Sequence, residues 1–273
     1  MKKIVLILVF ISSFITAQQK EFKYSLNGIT KVVLTSDTKM IVEVGNTSQL
    51  IITDTKNNKS KSNEKHEHHE DHFPNKKSKE KEDKRKGLTA IYPGGKDDTD
   101  GYGFSISKEE GILYVTDLKS FMQRRGLTFK LPKNMNISVD AGNMGSIYLE
   151  GFTGEVEATS NIGKIEIKDV TGPITVDGNV GKVDIDFVTV SQKSPITISS
   201  SVSEIDVAIP ANSKADLELR TQGTVYTNFD IEMPKKKGMP IVNGRKSIVT
   251  KLNNGGVKIY IKSSMGNIYL RKK

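Results

Sequence analysis

The second half of the chain repeats a short template of apolar positions, and this feature limits the fold more than any other. Four copies begin at Val156, Ile174, Ile196 and Ile259, and each has a second apolar residue six positions later, at Ile162, Val180, Val202 and Met265. Two more apolar positions follow three and five places beyond, at Ile165 and Ile167, Val183 and Ile185, Ile205 and Val207, and Ile268 and Leu270. Met144, Ile147 and Leu149 form a partial copy.

The interval from Met144 to Ile162 equals that from Ile162 to Val180, and the interval from Val180 to Val202 is slightly longer. A period of about 18–22 residues is typical of stacked repeat units.

Turn-forming residues stand on both sides of the second apolar position. Gly or Ser follows it, at Gly145, Gly163, Gly181, Ser203 and Gly266, and Asn or Ser precedes it, at Asn143, Asn161, Asn179, Ser201 and Ser264. Gly tolerates positive φ and Asn tolerates the left-handed region, while stacked Asn side chains can bond to one another in ladders. Two short strands and two corners in each copy predict an all-β fold, a parallel β-solenoid in which equivalent aliphatic side chains stack inside.

Residues 1–17 have the pattern of a signal peptide. Lys2 and Lys3 precede an apolar run from Ile4 to Phe14, and Ala17 is the small residue expected at a cleavage site. No later stretch has the roughly 18 apolar residues that span a bilayer. We therefore expect an exported protein in the periplasm, on the outer surface or in the medium. The chain has no Cys, so disulfides do not hold it together.

A charged insertion interrupts the strand-like sequence of the remaining chain. Nearly every residue from Lys56 to Lys86 is charged, His, Ser or Asn. Such a segment buries too little apolar surface to offset its ordering entropy, so disorder is predicted over residues 55–87. Strands are predicted between Phe22 and Asp54 and again from Leu88, with an irregular crossover at Phe121–Leu131. Residues 18–273 are thus predicted to form a single domain, with a second polar interruption, a basic loop, at 232–246.

The Gly-x-Ile-x-Leu/Ile units at Gly145, Gly163, Gly181 and Gly266, with their Asn or Ser corners, resemble a family of exported bacterial β-strand-repeat domains. These are the "putative adhesin" domains of unknown function, related to the head domains of auto-transporter adhesins. The resemblance covers about Phe22 to Lys273 apart from the charged insertion. It implies a right-handed parallel β-solenoid at the cell envelope and brings no catalytic residues.

The four His residues of the chain form a candidate metal site. His66, His68, His69 and His72 lie close together in the sequence, interspersed with Glu and Asp residues. Neutral imidazoles are good ligands for Zn²⁺, Cu²⁺ and Ni²⁺. The alternative interpretation is a solvated charged loop, because the segment has no scaffold to order a site. A transition-metal ion is the one cofactor that this sequence suggests.

An acidic row is predicted on the outside of the solenoid. Glu166, Asp184 and Asp206 occupy the position between two inward residues in successive copies. Carboxylates about 5–5.5 Å apart serve retaining glycosidases, and the same oxygens can bind Ca²⁺. Lys164 and Lys182 stand two positions earlier on the same face. These lysines favour a neutralised, solvated surface over a catalytic or calcium site.

Three other patterns allow functional and structural interpretations. Asp97-Asp98-Thr99-Asp100-Gly101 is similar to the start of a calcium loop, but the distal Glu is missing. The basic loop contains Lys235, Lys236, Lys237, Arg245 and Lys246 without interleaved aromatic residues, which favours a flexible loop over specific nucleic-acid binding. Tyr148, Tyr226, Tyr260 and Tyr269 are either outward contacts for sugars or partners, or simply good strand formers.

These observations predict a non-catalytic protein. With neither Cys nor any His outside the insertion, nucleophilic triads lack their residues. The formal charge of +9 becomes 9 − 2 = +7 once Lys2 and Lys3 are removed, which favours anionic partners. We expect an exported adhesin-like scaffold that contacts an envelope protein, an anionic glycan or lipopolysaccharide. The alternatives are an envelope metal-binding or stress-related protein acting through its His-rich loop, and a polysaccharide-active β-helix enzyme.

Overall fold

The computed structural model describes residues 21–55, 87–119, 121–124, 126–231 and 246–273, and these contain strands but no helix. In chain order the strands are β1 Glu21–Ser25, β2 Lys31–Thr35, β3 Met40–Val44, β4 Gln49–Asp54, β5 Phe104–Glu109, β6 Ile112–Asp117, β7 Leu127–Leu131, β8 Asn136–Asp140, β9 Ile147–Glu150, β10 Val156–Ile162, β11 Ile165–Val170, β12 Ile174–Val180, β13 Val183–Phe187, β14 Ile196–Ser200, β15 Ile205–Ile209, β16 Ala215–Thr221, β17 Val225–Thr227, β18 Lys246–Leu252, β19 Val257–Ser263 and β20 Ile268–Lys272. Within these ranges, no helix is long and apolar enough to cross a bilayer.

The strands form two mixed sheets of ten strands each. The first sheet has the order β1-β4-β7-β3-β9-β11-β13-β15-β20-β17, and the second has the order β18-β16-β19-β14-β12-β10-β8-β2-β6-β5. Of the eighteen strand pairs among the described residues, fourteen are parallel. The all-β prediction is therefore confirmed. The sheets differ from the predicted uniform solenoid in their antiparallel pairs, β1–β4, β4–β7, β5–β6 and β16–β18.

The repeated template places its aliphatic residues in rows across the sheets. In the first sheet, Ile147, Ile165, Val183, Ile205 and Ile268 are successive register partners. Each is at most 1% exposed. Val156 pairs with Ile174, and Ile196 with Ile259, in a matching buried row of the second sheet. Because side chains alternate between the two faces of a strand, every second residue enters the core and the intervening residue faces outwards.

Near both ends of the sheets, the order of the strands differs from their order along the chain. The strand pair β19 and β20 lies between the pair β14 and β15 and the pair β16 and β17, although β16 and β17 come first in the chain. Similarly, β2 and β3 lie between β6 and β7 on one side and β8 and β9 on the other. Three of the four edge strands, β1, β5 and β18, pair antiparallel with their neighbours, and the fourth, β17, pairs parallel with β20. This arrangement agrees with the general need of repeat proteins for atypical terminal units.

The corner residues adopt the ladder that the sequence predicts, but one apolar position faces solvent. Side-chain amides link Asn161 to Asn143 at 3.3 Å and Asn179 to Asn161 at 2.8 Å. The neighbouring apolar residues, expected to stack inside, are 42–67% exposed: Met144, Ile162, Val180, Val202 and Met265. Ile162 and Val180 are the last residues of β10 and β12, and the other three follow a strand end, so all five lie at the corner before the next strand.

The glycines of the corner are needed for close packing rather than for positive φ. Only Gly181 of this set has positive φ. A Cβ on Gly163 would come within 3.0 Å of the carbonyl oxygen of Gly145, and one on Gly266 would meet that of Ser203 in the same way. Adjacent turns thus lie too close together for a side chain at these positions.

The first half of the chain departs from two sequence predictions. Leu88–Tyr92 does not form a strand, and Leu88 and Ile91 are 74% and 91% exposed. The predicted irregular crossover ends instead in the regular strand β7, whose Leu127, Phe129 and Leu131 are buried. Short segments without a repeat partner give only a weak pattern, so their pairing decides the outcome. The predicted signal peptide and residues 56–86 of the charged insertion lie outside the described residues.

Candidate functional site

The outward face of the first sheet carries a row of tyrosines and carboxylates, which we call the outer row. Register pairs connect its members across six strands in the order Tyr148, Glu166, Asp184, Asp206, Tyr269 and Tyr226. The structure therefore brings together the three acidic residues predicted from the sequence. It also adds a tyrosine at one end of them and two at the other.

Lysine and arginine side chains neutralise the carboxylates of the outer row. Lys164 Nζ lies 2.7 Å from Glu166 Oε2 and 3.2 Å from Asp184 Oδ2, so it bridges two neighbouring strands. Lys182 pairs with Asp184 at 2.7 Å. Arg271 donates two hydrogen bonds to Asp206, from Nε at 2.6 Å and from Nη2 at 2.8 Å. The face predicted to be a neutralised surface therefore carries ion pairs on all three carboxylates. We call this set of ion pairs the ion-pair lattice.

Ion pairing keeps Glu166 ionised. Hydrogen bonds from Lys164 and then Lys168 lower the pKa of Glu166 below its ordinary value, against a smaller opposing effect of burial. A glycosidase general acid needs a raised pKa, so Glu166 has the opposite electrostatic character. Within the described ranges, no three His, Cys, Asp or Glu side chains are grouped to hold a metal ion.

Two stacked tyrosines form the end of the outer row nearest β17. The rings of Tyr226 and Tyr269 lie 5.2 Å apart between centroids with an interplanar angle of 11°. Tyr226 is 51% exposed, whereas Tyr269 is half-buried. The Tyr269 hydroxyl donates to Glu204 at 3.2 Å, and the Arg271 guanidinium lies 5.8 Å from the Tyr269 ring centroid. One ring is therefore held in position while the other is open to a partner.

At the other end of the outer row, Tyr148 is held by its neighbours. Its hydroxyl donates to Glu150 Oε2 at 2.5 Å, and this hydrogen bond, with burial as a second cause, raises the pKa of Tyr148 to about 12. Lys168 Nζ lies 5.6 Å from the ring centroid. Tyr148 is thus a neutral hydroxyl with a fixed ring at all physiological pH values.

Tyr260 does not join the outer row, because it lies on the outward face of the second sheet. It pairs in register with Thr197 and Glu218. Arg220 and Lys258 lie 5.7 and 5.9 Å from its ring centroid. The four tyrosines considered from the sequence thus divide into two surfaces.

The segment similar to a calcium loop is a turn that its first aspartate closes. Asp97 accepts hydrogen bonds from the Thr99 hydroxyl at 2.6 Å and from the backbone N–H groups of Thr99, Gly101 and Gly103. Desolvation raises the pKa of Asp97, but these hydrogen bonds outweigh it and the net pKa is lowered. Both carboxylate oxygens of Asp97, the first candidate calcium ligand, are used by the turn itself.

Replacing Asp97 by alanine is expected to lower the free energy of unfolding by about 1–3 kcal/mol, because several buried or half-buried donors lose their acceptor. The difference from wild type should be full above the ordinary pKa of 3.8 and disappear as the pH falls through the lower folded value. Urea denaturation at several pH values measures this, with exposed Lys96→Ala as the control. An equal loss of stability at pH 7 in both variants would contradict the assigned role.

Two predicted sites fall largely outside the described residues. His66, His68, His69 and His72 lie there, as do Lys235, Lys236, Lys237 and Arg245. Lys246, the last residue of the basic loop, is instead the first residue of β18 and pairs in register with Thr221. Metal binding by the His cluster therefore stays a prediction.

A buried ion pair that sequence reasoning missed lies beside a cavity of about 190 Å³. Arg124 Nε is 3.5 Å from Asp117 Oδ2, and their side chains are only 4% and 0% exposed. The guanidinium also lies 4.6 Å from the centroid of the Phe104 ring. Desolvation raises the pKa of Asp117, with Arg124 opposing the change. This pair joins the loop before β7 to β6, and only the folded chain brings the two residues together.

Comparisons with known proteins give one distant structural match. No family model matches the chain, and no curated protein does so either. The chain is similar to the crystal structure of a "putative cell adhesion protein" from Clostridium sporogenes, with 14% sequence identity and a TM-score of 0.43. The match covers 94% of this chain and 100% of the other. With so low a TM-score, the similarity supports neither a fold nor a function for this chain.

Proposed function

We propose that this protein is a non-catalytic, adhesin-like scaffold of the cell envelope that contacts glycans or proteins through the outer face of its first sheet. The outer row carries the proposal. The exposed Tyr226 and the half-buried Tyr148 and Tyr269 offer apolar ring area with a polar end, which is why tyrosines are enriched at interfaces. Between them, the ion-pair lattice offers hydrogen-bond donors and acceptors at regular strand spacing. A flat, regular row suits an extended partner better than a small substrate.

The scaffold in this proposal is a right-handed parallel β-solenoid with antiparallel strands at three of its four sheet edges. Support comes from the register, in which Ile147, Ile165 and Val183 follow one another at equal intervals along the chain. The interval from Val183 to Ile205 is longer, and its extra residues lie in the turn between β13 and β14. Stacked units of this kind place equivalent outward positions in a line, which extends a contact surface along the sheet.

The charges of the outer row support a binding role rather than catalysis. Each carboxylate of the row has a cationic partner, and Glu166 is held in its ionised form. Glycosidic cleavage would need one carboxyl group that is protonated near neutral pH. Export is proposed from the signal-like sequence of residues 1–17, and the partner from the positive net charge of the chain.

Binding to envelope preparations tests this function. We expect the mature protein to bind cell-envelope fractions or their purified polysaccharide, and the double variant Tyr226→Ala with Tyr269→Ala to bind about tenfold more weakly, since loss of a tyrosine contact typically weakens an interface by about 1–2 kcal/mol. Surface plasmon resonance measures the affinity. Tyr114→Ala is the matched control, because Tyr114 lies on the outward face of the second sheet, at β6.

A deletion separates the proposal from its main alternative. Removing residues 56–86 should leave binding within about twofold of wild type, because the outer row stays intact. If the deletion abolishes binding while the tyrosine variant keeps it, the outer row is not the contact surface. The His-rich loop would then be the segment that binds the partner.

A further inference from the structure

Two cations face each other on the outward side of the second sheet. Arg220 on β16 and Lys262 on β19 are direct register partners. The next residues on either side of this pair are Ser247 and Ser199, which carry no charge. Like charges placed directly opposite each other across two strands are destabilising. The second sheet therefore contains a local excess of positive charge.

Nearby carboxylates do not balance this excess. Glu218 pairs with Arg220 at 2.6 Å, but it also pairs with Lys258 at 3.0 Å. Lys262 is half-buried and has neither an ion pair nor a side-chain hydrogen bond with any residue in the described ranges. On the first sheet, by contrast, Lys164 contacts two carboxylates. Lys262, opposite Arg220 in the register, has no such ion pair with the described residues.

A small cavity lies between these groups. Its volume is about 110 Å³, and its lining includes Arg220, Lys262, Tyr260, Gln222 and Ser264. The amide of Gln222 and the hydroxyl of Ser264 add polar groups to this lining. Pockets for drug-sized ligands are roughly 300–1,000 Å³, so the cavity suits a single anionic group better than a whole small molecule.

We propose that the cavity beside Tyr260 binds an oxyanion group, a sulfate, phosphate or carboxylate, through Arg220 and Lys262. The guanidinium offers a planar pair of N–H donors and the ammonium a point charge, the two complementary ways in which proteins hold oxyanions. Bound anion replaces the repulsion between the two cations by two attractions. The site lies on the opposite sheet from the outer row, so it goes beyond the proposed function and does not depend on it.

Thermal unfolding in matched salts tests the site directly. Sodium sulfate is expected to raise the Tm of the full mature protein by several degrees relative to sodium chloride at the same ionic strength, because a ligand that binds only the folded state stabilises it. The Lys262→Gln and Arg220→Gln variants should lose most of this difference. Lys258→Gln should keep it, since Lys258 belongs to the same charge cluster but does not line the cavity.

The same variants separate a binding role from a structural one. Without sulfate and at low ionic strength, Lys262→Gln should have a Tm equal to or above that of wild type, because the repulsion from Arg220 is removed. If Lys262 were a structural residue, the variant would lose stability in every salt. That result, or equal stabilisation of wild type by sulfate and chloride, would overturn the proposal.

Calorimetric titration with a heparin-derived sulfated oligosaccharide identifies the source of the oxyanion. Tighter binding of the oligosaccharide than of inorganic sulfate, weakened about tenfold in Lys262→Gln, indicates a group carried on a glycan. Binding of inorganic sulfate alone, lost in the same variant, indicates a small anion in solution. If neither binds, or if Lys258→Gln weakens binding as much as Lys262→Gln does, the cavity is not an oxyanion site.

Discussion

Replacing Gly163 by alanine is expected to lower the free energy of unfolding by about 3 kcal/mol, at the upper end of overpacking effects. A Cβ at this position would come within 3.0 Å of the Gly145 backbone, in both its carbonyl oxygen and its carbonyl carbon. Backbone atoms cannot rotate away as a side chain can, so adjacent turns would have to separate. Separation would also weaken the hydrogen bond between the side chains of Asn161 and Asn143.

Urea denaturation followed by circular dichroism measures this loss. Gly94→Ala is the matched control, because a Cβ there meets only the flexible side chain of Leu118 at 3.4 Å. Replacing Gly at such a position usually stabilises a protein by about 0.4–1 kcal/mol through the unfolded chain. If Gly163→Ala is as stable as Gly94→Ala, the turns are not packed as closely as described.

The second large effect is expected for Ile165→Ala, which should lower the free energy of unfolding by about 2–5 kcal/mol. Ile165 is 0% exposed and lies in a buried row between Ile147 and Val183. Truncation removes apolar contacts with both neighbours and leaves a cavity that the rigid sheets fill poorly. Since adjacent strands share the row, the cavity affects more than one repeat unit.

Ile162→Ala supplies the comparison within the same repeat unit. Ile162 is only three positions earlier but is 50% exposed at the corner. We expect its replacement to change the free energy of unfolding by less than about 0.5 kcal/mol, as is usual for surface positions. Thermal and urea unfolding of Ile162→Ala and Ile165→Ala, measured in parallel, give the change in the free energy of unfolding for each variant. A larger loss for Ile162→Ala than for Ile165→Ala would mean that the assigned inward and outward faces are reversed.

The repeat predicted the buried strand positions where they recur, but it failed at the corner position of the template and in segments without a repeated counterpart. Ile165 and Val183 were assigned to the inside from spacing alone, because a strand alternates its faces with a strict period of two. Ile162 fits the same apolar template but faces solvent, since a corner breaks that alternation. The strand β7 was not predicted, because Leu127–Leu131 lacks a repeated counterpart and gains its place by pairing with β3 and β4.

For the candidate site, spacing predicted the alignment but not the contacts. Glu166 and Asp184 align because their strands share the register of the buried row. The stacking of Tyr226 on Tyr269 was beyond sequence reasoning, since β17 and β20 are far apart in the chain and become neighbours only when β20 enters the sheet between β15 and β17. The opposition of Arg220 and Lys262 depends in the same way on β19 lying beside β16.

The amino-acid sequence by itself determined the all-β architecture, the buried rows and the alignment of outward residues between successive repeats. These properties follow from local alternation and a constant spacing, which act over short stretches of chain. The tertiary structure alone decided which distant strands become neighbours, and with them the stacked tyrosines, the opposed cations and the Arg124–Asp117 pair. Such contacts depend on which strands lie side by side in a sheet, and near the sheet ends this order departs from the order along the chain, so a periodic pattern does not predict it.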